Sequence, residues 1–465
     1  MTKKGDGGDL EDALGYLESV APRGSSRHKC EYVFGDGIER TAHLLEMIDG
    51  GDCRDKSVVV AGTKGKGSTV ALIASILVEA GYRVGMFTGP HLHSCCERFQ
   101  INGRMIPEDE LAAYIFEAKR AIESNWSKQA IGTPTKFEIL TAIALRYFDD
   151  ADVDYAVLEV GIGGRHDAVN VANPLVSVIT SISLEHTAML GSTLTEIAYA
   201  KAGIVRPNGV VVSAPQPAEA ECVIDEVCSS LEARRVKIGV DWDYVPLDHP
   251  GDENYAGQHF RVVRRGDSGS ANSLSAISGH DLFIPLLGAH QLENAAVAVA
   301  TVDAMGVDVT VMQVGKGLDS VVWPGRLEIV STDPLTVVDG AHNPYSMQKL
   351  AEALQSDFRY DRLILVLGIS SDKDIAAMLG EVCPLADELF ITQFDHPRSA
   401  SVGTIAELLP QDSPRPHIVA SMGDAVSAAT AMAGVGDLVC ITGSLYLVAE
   451  ARQLFPMGSD LGLLH

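Results

Sequence analysis

Short apolar runs alternate with helix-length amphipathic segments along most of the chain. In the first part, the runs that predict strands are "SVVVAG" (57–62), "RVGMFTG" (83–89), "YAVLEVG" (155–161), "LVSVITSI" (175–182) and "GVVVSA" (209–214). Between them, apolar residues recur at helical spacing in "STVALIASILVEAG" (68–81) and "KFEILTAIALRYFDD" (136–150). Such alternation is typical of βαβ units, in which helices cover a mostly parallel sheet.

One polar stretch interrupts this pattern. Residues 241–280 are rich in Gly, Ser and Asp, and they predict a hairpin with turns instead of another βαβ unit. The alternation restarts near "VWPGRLEIV" (322–330). The apolar runs after that point are "LTVVDGAHN" (335–343), "RLILVLGIS" (362–370), "ELFITQF" (388–394), "PHIVAS" (416–421) and "DLVCITGS" (437–444).

Two α/β domains are therefore expected. The first, over residues 1–322, has a P-loop-type, mostly parallel sheet, and the second, over residues 325–465, is smaller and Rossmann-like. Pro324-Gly325 predicts the hinge, and the cleft beside a hinge is an expected place for a ligand.

Composition and charge narrow the class of protein. The chain has 465 residues, 46% of them apolar, and a formal net charge of −26 from 62 acidic and 36 basic side chains. This balance argues against nucleic acid and anionic membranes as partners, because both need basic patches.

No apolar run approaches the roughly 18 residues that span a bilayer, and the start lacks the apolar core of a signal peptide. The 8 cysteines form no C-x-x-C pair, so we expect reduced thiols in a cytoplasmic protein, with a monomer as the default.

The segment "GTKGKGST" (62–69) carries the most specific local chemistry. It follows an apolar strand and opens a long apolar-periodic helix, the context in which backbone N–H groups and a helix N-terminus bind phosphate. Its spacing differs from the common G-x-x-x-x-G-K-[ST] loop, since the interval before Lys66 is shorter and Gly67 follows the lysine. We expect Lys66 to contact the β- and γ-phosphates of a nucleotide and the Ser68 hydroxyl to contact phosphate or Mg²⁺.

Two residues predict a divalent metal site. Glu159 ends the apolar run of 155–161, and the ligands of open α/β sheets bind where strands end. A carboxylate there is costly unless it is paired or bound to a cation. The next run leads into "SISLEHTAMLG", which places His186 at its exit. We predict that the two strands are parallel neighbours, so that Glu159 and His186 bind Mg²⁺ or Mn²⁺, although histidine is the less usual ligand of Mg²⁺.

Several further polar residues are candidates on weaker grounds. Lys201 lies late in a predicted helix and is either an ion-pair partner or a catalytic group. In the second domain, Arg326 offers a bidentate contact to phosphate, Asp339 ends an apolar strand where a ribose would bind, and His342 lies in the turn that follows. The amide of Asn294 suits an adenine edge.

Taken together, these segments resemble the folylpolyglutamate synthase/dihydrofolate synthase family, a branch of the Mur ligases. The resemblance runs across nearly the whole chain. The segments that carry it are "GTKGKGS" (62–68), "FTGPHLHSCCERFQINGRMI" (87–106), "FEILTAIA" (137–144), "LEVGIGGRHDAVN" (158–170), "HTAMLGSTLTEIAYAKAGI" (186–204), "GAHQLENAAVA" (288–298), "PGRLE" (324–328), "DGAHNP" (339–344) and "TGSLYLVAE" (442–450).

The resemblance implies an ADP-forming ligase with ATP and Mg²⁺ as cofactors. Its substrates would be L-glutamate and the carboxylate of dihydropteroate, of a reduced folate, or of both. The nucleotide contacts that it implies are Thr63, Lys64, Gly65, Lys66, Gly67, Ser68, Asn294, Arg326 and Asp339. Glu159 and His186 match the magnesium ligands of the family, with Ser68 beside them.

The resemblance also implies catalytic roles for Lys66, Lys201, Arg326 and His342. Lys201 matches a lysine that is carbamylated in many members and that bridges toward a second divalent ion. His342 lies in the motif that closes over the nucleotide.

The chain departs from the family at two positions. The family usually has a serine before the Pro-His of its "SPHL" segment, and that serine helps to coordinate magnesium. Gly89 stands there in this chain, so Thr88 is the expected replacement, directly or through water. Glu185 precedes His186 where an aspartate is common.

The alternatives to a folate-type ligase are a Mur-type ligase acting on a cell-wall precursor or another pterin coenzyme, and a non-catalytic nucleotide-binding module.

Overall fold

The computed structural model describes residues 9–20, 36–126, 132–247, 257–265 and 277–455. The chain divides into two units. The first consists of Met1–Leu247, Phe260–Phe283 and Glu293–Val321, and the second of Asp248–His259, Ile284–Leu292 and Val322–His465. Among the described residues, no helix is both long enough and apolar enough to cross a membrane.

An eight-stranded sheet forms the centre of the first unit. Its strands along the chain are β1 (Ser57–Ala61), β2 (Val84–Phe87), β3 (Phe99–Ile101), β4 (Arg104–Met105), β5 (Tyr155–Glu159), β6 (Val176–Ile179), β7 (Val210–Ser213) and β8 (Arg234–Lys237). Their order in space is β4-β3-β2-β5-β1-β6-β7-β8. Strand β2 and those beyond it pair in parallel, and β3 and β4 add an antiparallel edge. The mostly parallel sheet that the sequence predicts is therefore confirmed.

The relative places of β5 and β6 correct one prediction. We expected the strands before Glu159 and His186 to be neighbours, but β1 lies between them and pairs with both. In the β1–β5 register, Val60 lies opposite Glu159, and in the β1–β6 register it lies opposite Val178. The prediction was wrong because consecutive strands of an open parallel sheet need not be adjacent, and the local pattern does not reveal which strand lies at the centre.

Helices pack against this sheet, since the apolar faces of a parallel sheet need to be covered. In the first unit they are α1 (Leu10–Ser19), α2 (Gly37–Met47), α3 (Lys66–Glu79), α4 (Glu108–Asn125), α5 (Lys136–Asp150), α6 (Thr187–Leu190), α7 (Leu194–Lys201), α8 (Ala218–Ser230) and α10 (Val311–Asp319). Helix α9 (Ala289–Met305) lies between α8 and α10 along the chain. Strand β1 is buried at every position, and so is most of α3. Helix α10 packs tightly on α3, since a Cβ on Gly317 would lie 2.5 Å from Ile76 Cα.

A buried ion pair joins α2 to α5. Arg40 Nε and Nη2 each donate to a Glu138 carboxylate oxygen at 2.8 Å, and the two side chains are 2% and 6% exposed. Glu138 also closes a capping box with Thr135 at the start of α5. Because both charges are almost fully removed from water, each depends on the other for its neutralisation.

The polar stretch that the sequence singles out contains strands of a second, smaller sheet. Its three strands are β9 (Trp242–Leu247), β10 (Gln258–Arg264) and β11 (Asp281–Ile284), in the order β11-β10-β9. Helix α9 (Ala289–Met305) follows. The turns predicted within 248–256 and 266–276 lie outside the described residues.

A six-stranded sheet forms the second unit. Its strands are β12 (Glu328–Thr332), β13 (Leu335–Asp339), β14 (Leu363–Leu367), β15 (Glu388–Gln393), β16 (His417–Ser421) and β17 (Leu438–Thr442), in the order β12-β13-β17-β14-β15-β16. All pairs are parallel except β12–β13. The helices of this unit are α11 (Pro344–Ser356), α12 (Ile375–Val382), α13 (Val402–Glu407), α14 (Met422–Met432) and α15 (Leu445–Arg452). The Rossmann-like α/β architecture expected here is confirmed.

Candidate active site

The glycine-rich loop after β1 leaves no room for side chains at two points. Gly62 has a φ of +153°, and a Cβ there would lie 1.8 Å from Thr180 Oγ1. Gly65 has a φ of +83°, and a Cβ there would lie 2.2 Å from Asn294 Oδ1. Gly65 is the N-cap of α3 and offers that helix no side-chain cap. The bare glycine backbone and an uncapped helix N-terminus are the features that let a phosphate approach main-chain N–H groups.

Two lysines converge under this loop. Lys66 is the first residue of α3, and its Nζ lies 3.5 Å from Thr63 O and 3.9 Å from Glu159 Oε1. Lys201 is the last residue of α7, and its Nζ donates to Gly62 O at 2.6 Å. Both sequence candidates therefore contact the loop or its neighbouring carboxylate.

Lys201 occupies an unusual environment for a lysine. Its side chain comes from a short helix that begins with a capping box between Thr193 and Glu196, and the whole residue is only 3% exposed. Burial, reinforced by the nearby positive charge of Lys66, lowers the pKa of Lys201 to about 7. A substantial fraction of Lys201 is thus an uncharged amine at neutral pH.

Glu159 is the last residue of β5 and is 7% exposed. Its Oε2 accepts a hydrogen bond from Gly89 N at 3.1 Å, while its Oε1 faces Lys66. Thr88 is buried, and its N–H donates to Arg98 O at 3.1 Å. The structure therefore brings Glu159, Lys66 and the Thr88–Gly89 turn together.

The space beside Gly89 is filled by an arginine. A Cβ on Gly89 would lie 2.8 Å from Arg98 Nη1, and Arg98 Nε donates to His91 Nδ1 at 2.9 Å. Burial, together with the charge of Arg98, lowers the pKa of His91 to about 4, so this imidazole is neutral at pH 7. A guanidinium thus stands beside the position at which the family usually has a serine.

The predicted metal ligands are only partly assembled. Ser68 is buried in the first turn of α3, next to Thr69, whose Oγ1 is buried without a hydrogen-bond partner among the described residues. His186 is exposed and has a φ of +51°. It immediately precedes α6 and does not end a strand, since β6 ends at Ile179, earlier than predicted. Across the described ranges, no three His, Cys, Asp or Glu side chains form a metal-binding group.

One residue of this site was missed by the sequence reasoning. Asp167 is buried, and its carboxylate accepts from the N–H groups of Ile162 and Val169 at 3.0 Å each. Burial raises the pKa of Asp167 to about 6. The loop that it organises packs on the end of α7, since a Cβ on Gly164 would lie 2.7 Å from Lys201 O. An aspartate just after a glycine-rich run is a typical signal of such a turn.

The second unit brings three other candidates together by itself. Asp339 ends β13, and its carboxylate accepts from Leu327 N at 2.9 Å and Ala341 N at 2.8 Å. Burial raises the pKa of Asp339, and the charge of Arg326 opposes that shift. A Cβ on Gly340 would lie 2.7 Å from Arg326 Nη1, and His342 Nδ1 is 2.8 Å from Gly340 O. Arg326, Asp339 and His342 therefore surround Gly340.

Two family models match this chain. Residues 60–302 match the Mur ligase middle domain, and residues 325–445 match the Mur ligase, glutamate ligase domain. The chain is 36% identical over 420 residues to a probable bifunctional folylpolyglutamate synthase/dihydropteroate synthase of Haloferax volcanii, covering 90% of this chain and 48% of that protein. It therefore spans about half the length of that relative.

Other relatives match over most of their own length. The dihydrofolate synthase/folylpolyglutamate synthase of Bacillus subtilis is 32% identical over 425 residues, covering 90% of this chain and 94% of that protein. The solved structure of Escherichia coli FolC in complex with DHPP and ADP superimposes with a TM-score of 0.80 at 30% identity, covering 96% of this chain and 97% of that one. The chain belongs to the folylpolyglutamate synthase/dihydrofolate synthase family of Mur ligases.

Proposed function

We propose that this chain is an ATP-dependent, ADP-forming ligase that joins L-glutamate to the carboxylate of a pterin or folate acceptor. The observation that carries the proposal is the phosphate-type loop over Lys66 and Lys201, with Glu159 beside it. Support comes from the relatives, which are named for glutamate addition to folates, and from the FolC structure, which holds ADP.

The reaction would proceed in two steps. The acceptor carboxylate attacks the γ-phosphoryl group of ATP, which gives an acyl phosphate and ADP. The amine of L-glutamate then attacks the acyl carbon, and phosphate leaves. Lys66, at the open N-terminus of α3, would neutralise the negative charge on the transferred phosphoryl group. The backbone N–H groups of Gly65, Gly67 and Ser68 would hold the nucleotide phosphates, and Asn294, against Gly65, would contact the nucleotide.

The chemistry of Lys201 supports its carbamylation. A neutral amine is the form that adds to carbon dioxide, giving a carbamate and releasing a proton, and the lowered pKa of Lys201 makes that form available at neutral pH. We propose that the resulting carboxylate helps to hold a second divalent ion. In the second unit, we propose that Arg326 contacts phosphate, that Asp339 contacts the ribose and that His342 lies against the nucleotide.

The oxygen donors of the first unit fit Mg²⁺. The Glu159 carboxylate and the Ser68 hydroxyl lie at the ends of adjoining elements, and Thr69 adds a buried hydroxyl without a partner among the described residues. Oxygen ligands are those that Mg²⁺ prefers, whereas the imidazole of His186 is a poorer match. We propose Glu159 and Ser68 as ligands, with Thr88 and His186 as further ones. Bound Mg²⁺ would neutralise charge on the phosphates.

The proposal assigns the activity to two domains, residues 1–322 and 325–465. It leaves two acceptors, dihydropteroate and a reduced folate that already carries glutamate. The Haloferax volcanii relative shares the name folylpolyglutamate synthase with the other relatives. The proposed function includes that activity and does not include dihydropteroate synthase activity. A cell-wall precursor or another pterin coenzyme remains the alternative acceptor class.

The test is ADP release by the purified chain with ATP, Mg²⁺ and L-glutamate. Dihydropteroate and tetrahydrofolate are supplied in turn, and the products are analysed by mass spectrometry. One added glutamyl residue on dihydropteroate establishes dihydrofolate synthesis, and one on tetrahydrofolate establishes chain extension. Lys66→Met should remove the activity, whereas Lys119→Met, on the partly exposed face of α4, should not. Nucleotide binding with no added mass on either acceptor would contradict the proposed acceptor class.

A further inference from the structure

The turn that carries Arg326 is held at both ends by carboxylates of the second unit. Glu328 is the first residue of β12, and its Oε2 accepts from Gly325 N at 2.7 Å. On the other side of Arg326, the carboxylate of Asp339 accepts from Leu327 N at 2.9 Å. Arg326 therefore lies between two main-chain N–H groups, each of which is bound by a carboxylate.

This turn has an unfavourable backbone conformation. Leu327 has a φ of +44°, in the left-handed region, which a residue other than glycine keeps only where its surroundings fix it. Leu327 is 3% exposed and belongs to the apolar core of the second unit. Packing thus holds the Leu327 side of the turn, and the hydrogen bond from Gly325 to Glu328 holds the other side.

An arginine from another element fixes Glu328 in turn. Arg452 is the last residue of α15, and its Nη2 donates to Glu328 Oε1 at 2.9 Å, while its Nε lies 2.8 Å from Glu328 Oε2. The side chains of Arg452 and Glu328 are 9% and 23% exposed. Because a two-point contact between a guanidinium and a carboxylate fixes orientation as well as distance, Arg452 aims Glu328 at Gly325 N.

Gly325 connects Glu328 to the side chain of Arg326. Its carbonyl oxygen accepts from Arg326 Nη1 at 3.0 Å and from Gly340 N at 3.0 Å. Its N–H is bound by Glu328, and its own φ is +74°. A shift of Gly325 would therefore also move the oxygen to which the Arg326 guanidinium is bound.

Resting on the proposed contact of Arg326 with phosphate, we propose that Glu328 is a positioning residue for nucleotide binding. It acts through Gly325 and not by contact with the nucleotide. It holds Gly325, and Gly325 O holds the Arg326 guanidinium in one orientation before the nucleotide arrives. Without Glu328, the guanidinium would adopt several orientations, and binding would have to order it again at a cost in affinity.

A double-mutant cycle with an ATP analogue tests this role. The probe is β,γ-methylene ATP with Mg²⁺, and its binding is measured by isothermal titration calorimetry. Glu328→Met should weaken binding about fivefold or more in the wild-type background, but less than about twofold in an Arg326→Met background, because its effect passes through Arg326. Glu328→Gln keeps an oxygen that accepts from Gly325 N, so it should bind within about threefold of wild type. Glu407→Met, which changes an exposed glutamate at the end of α13, is the matched control and should bind as the wild type does.

A failure of the positioning role and a failure of the proposed function give different results. Equal weakening by Glu328→Met in both backgrounds would show that it acts on the fold and not through Arg326, which overturns the positioning role. Weakening by Arg326→Met without weakening by Glu328→Met would overturn the positioning role and leave the phosphate contact of Arg326 standing. Wild-type binding by Arg326→Met would refute that phosphate contact, and the positioning role would fall with it. The binding assay contains no acceptor and no glutamate, so it does not depend on the ligase activity.

Hydrogen exchange gives a second test in the nucleotide-free protein. Glu328→Met removes the acceptor of Gly325 N and frees the carbonyl that binds Gly340 N, so peptides spanning 323–328 and 338–342 should exchange faster. Peptides from β15, which lies towards the other edge of this sheet, should exchange at the wild-type rate. Unchanged exchange in the first two peptides would overturn the proposal. Faster exchange in all three would show a general loss of stability and would overturn it as well.

Discussion

Replacing Lys201 with methionine is expected to stabilise the folded chain while abolishing turnover. The burial of Lys201 lowers its pKa from 10.5 to about 7. Because a tenfold change in proton affinity corresponds to about 1.4 kcal/mol, placing this amine in the folded protein costs roughly 4 kcal/mol at pH 7. Methionine fills similar space without a charge, but it leaves Gly62 O without its donor, a loss of about 1–3 kcal/mol. A net gain of about 1–3 kcal/mol follows from the difference.

The pH dependence gives this prediction its sign. The unfolded chain binds the proton of Lys201 more tightly than the folded chain, so wild-type stability rises as the pH increases from about 7 toward 10.5. At pH 10, the cost of the buried amine falls to about 1 kcal/mol. The lost hydrogen bond then dominates, and Lys201→Met should be no more stable than wild type.

The assay is urea unfolding in buffers freed of carbon dioxide, at pH 7 and pH 10. Lys119→Met, which changes a partly exposed lysine on α4, serves as the control and should shift stability by less than about 0.5 kcal/mol at either pH. If Lys201→Met destabilises the protein equally at both pH values, Lys201 is a protonated, well-compensated side chain. Burial would then not lower the pKa of Lys201.

Three further substitutions test other parts of the structure. Gly65→Ala forces a side chain into a left-handed position with no space for it, so calorimetry should show ADP affinity reduced more than tenfold. Gly89→Ser places an atom 2.8 Å from Arg98 Nη1, the far end of a flexible side chain that can move aside, so the free energy of unfolding measured in urea should fall by less than about 1 kcal/mol; a loss above about 3 kcal/mol would contradict this flexibility. Arg40→Met leaves Glu138 buried and unpaired and should cost about 3–5 kcal/mol in urea unfolding, while replacing both residues by apolar ones should cost much less.

The sequence predicts most of the fold because its signals are local. The apolar runs predict every strand of the parallel core except β8, and "KFEILTAIALRYFDD" coincides with α5 from Lys136 to Asp150. The short antiparallel strands β3 and β4 were missed, since they alternate too briefly to show a period. The placing of β1 between β5 and β6 was also missed, because strand order depends on crossovers that leave no local pattern.

The sequence likewise predicts one part of the candidate site and not the other. Glu159 and Lys66 can be predicted as site residues from their places at a strand end and a helix start. The structure puts Lys66 Nζ 3.9 Å from Glu159 Oε1. The pairing of Lys64 with Glu185 joins residues far apart in the chain, and no spacing rule announces it. Burial of Lys201 is likewise a property of the assembled fold, so its lowered pKa is not visible in the sequence.

The register of β1 and β5 has a consequence for how the site is built. Val60 and Glu159 lie opposite each other in a ladder of backbone hydrogen bonds, two residues before Gly62 begins the loop. The distance between the Glu159 Cα and the loop is therefore set by main-chain pairing, and the hydrogen bond from Gly89 N then holds the carboxylate. Glu159→Gln should accordingly keep the local geometry and change only the charge. Glu159 is preorganised when the chain folds, so a substrate that binds later loses no entropy in bringing this carboxylate into place.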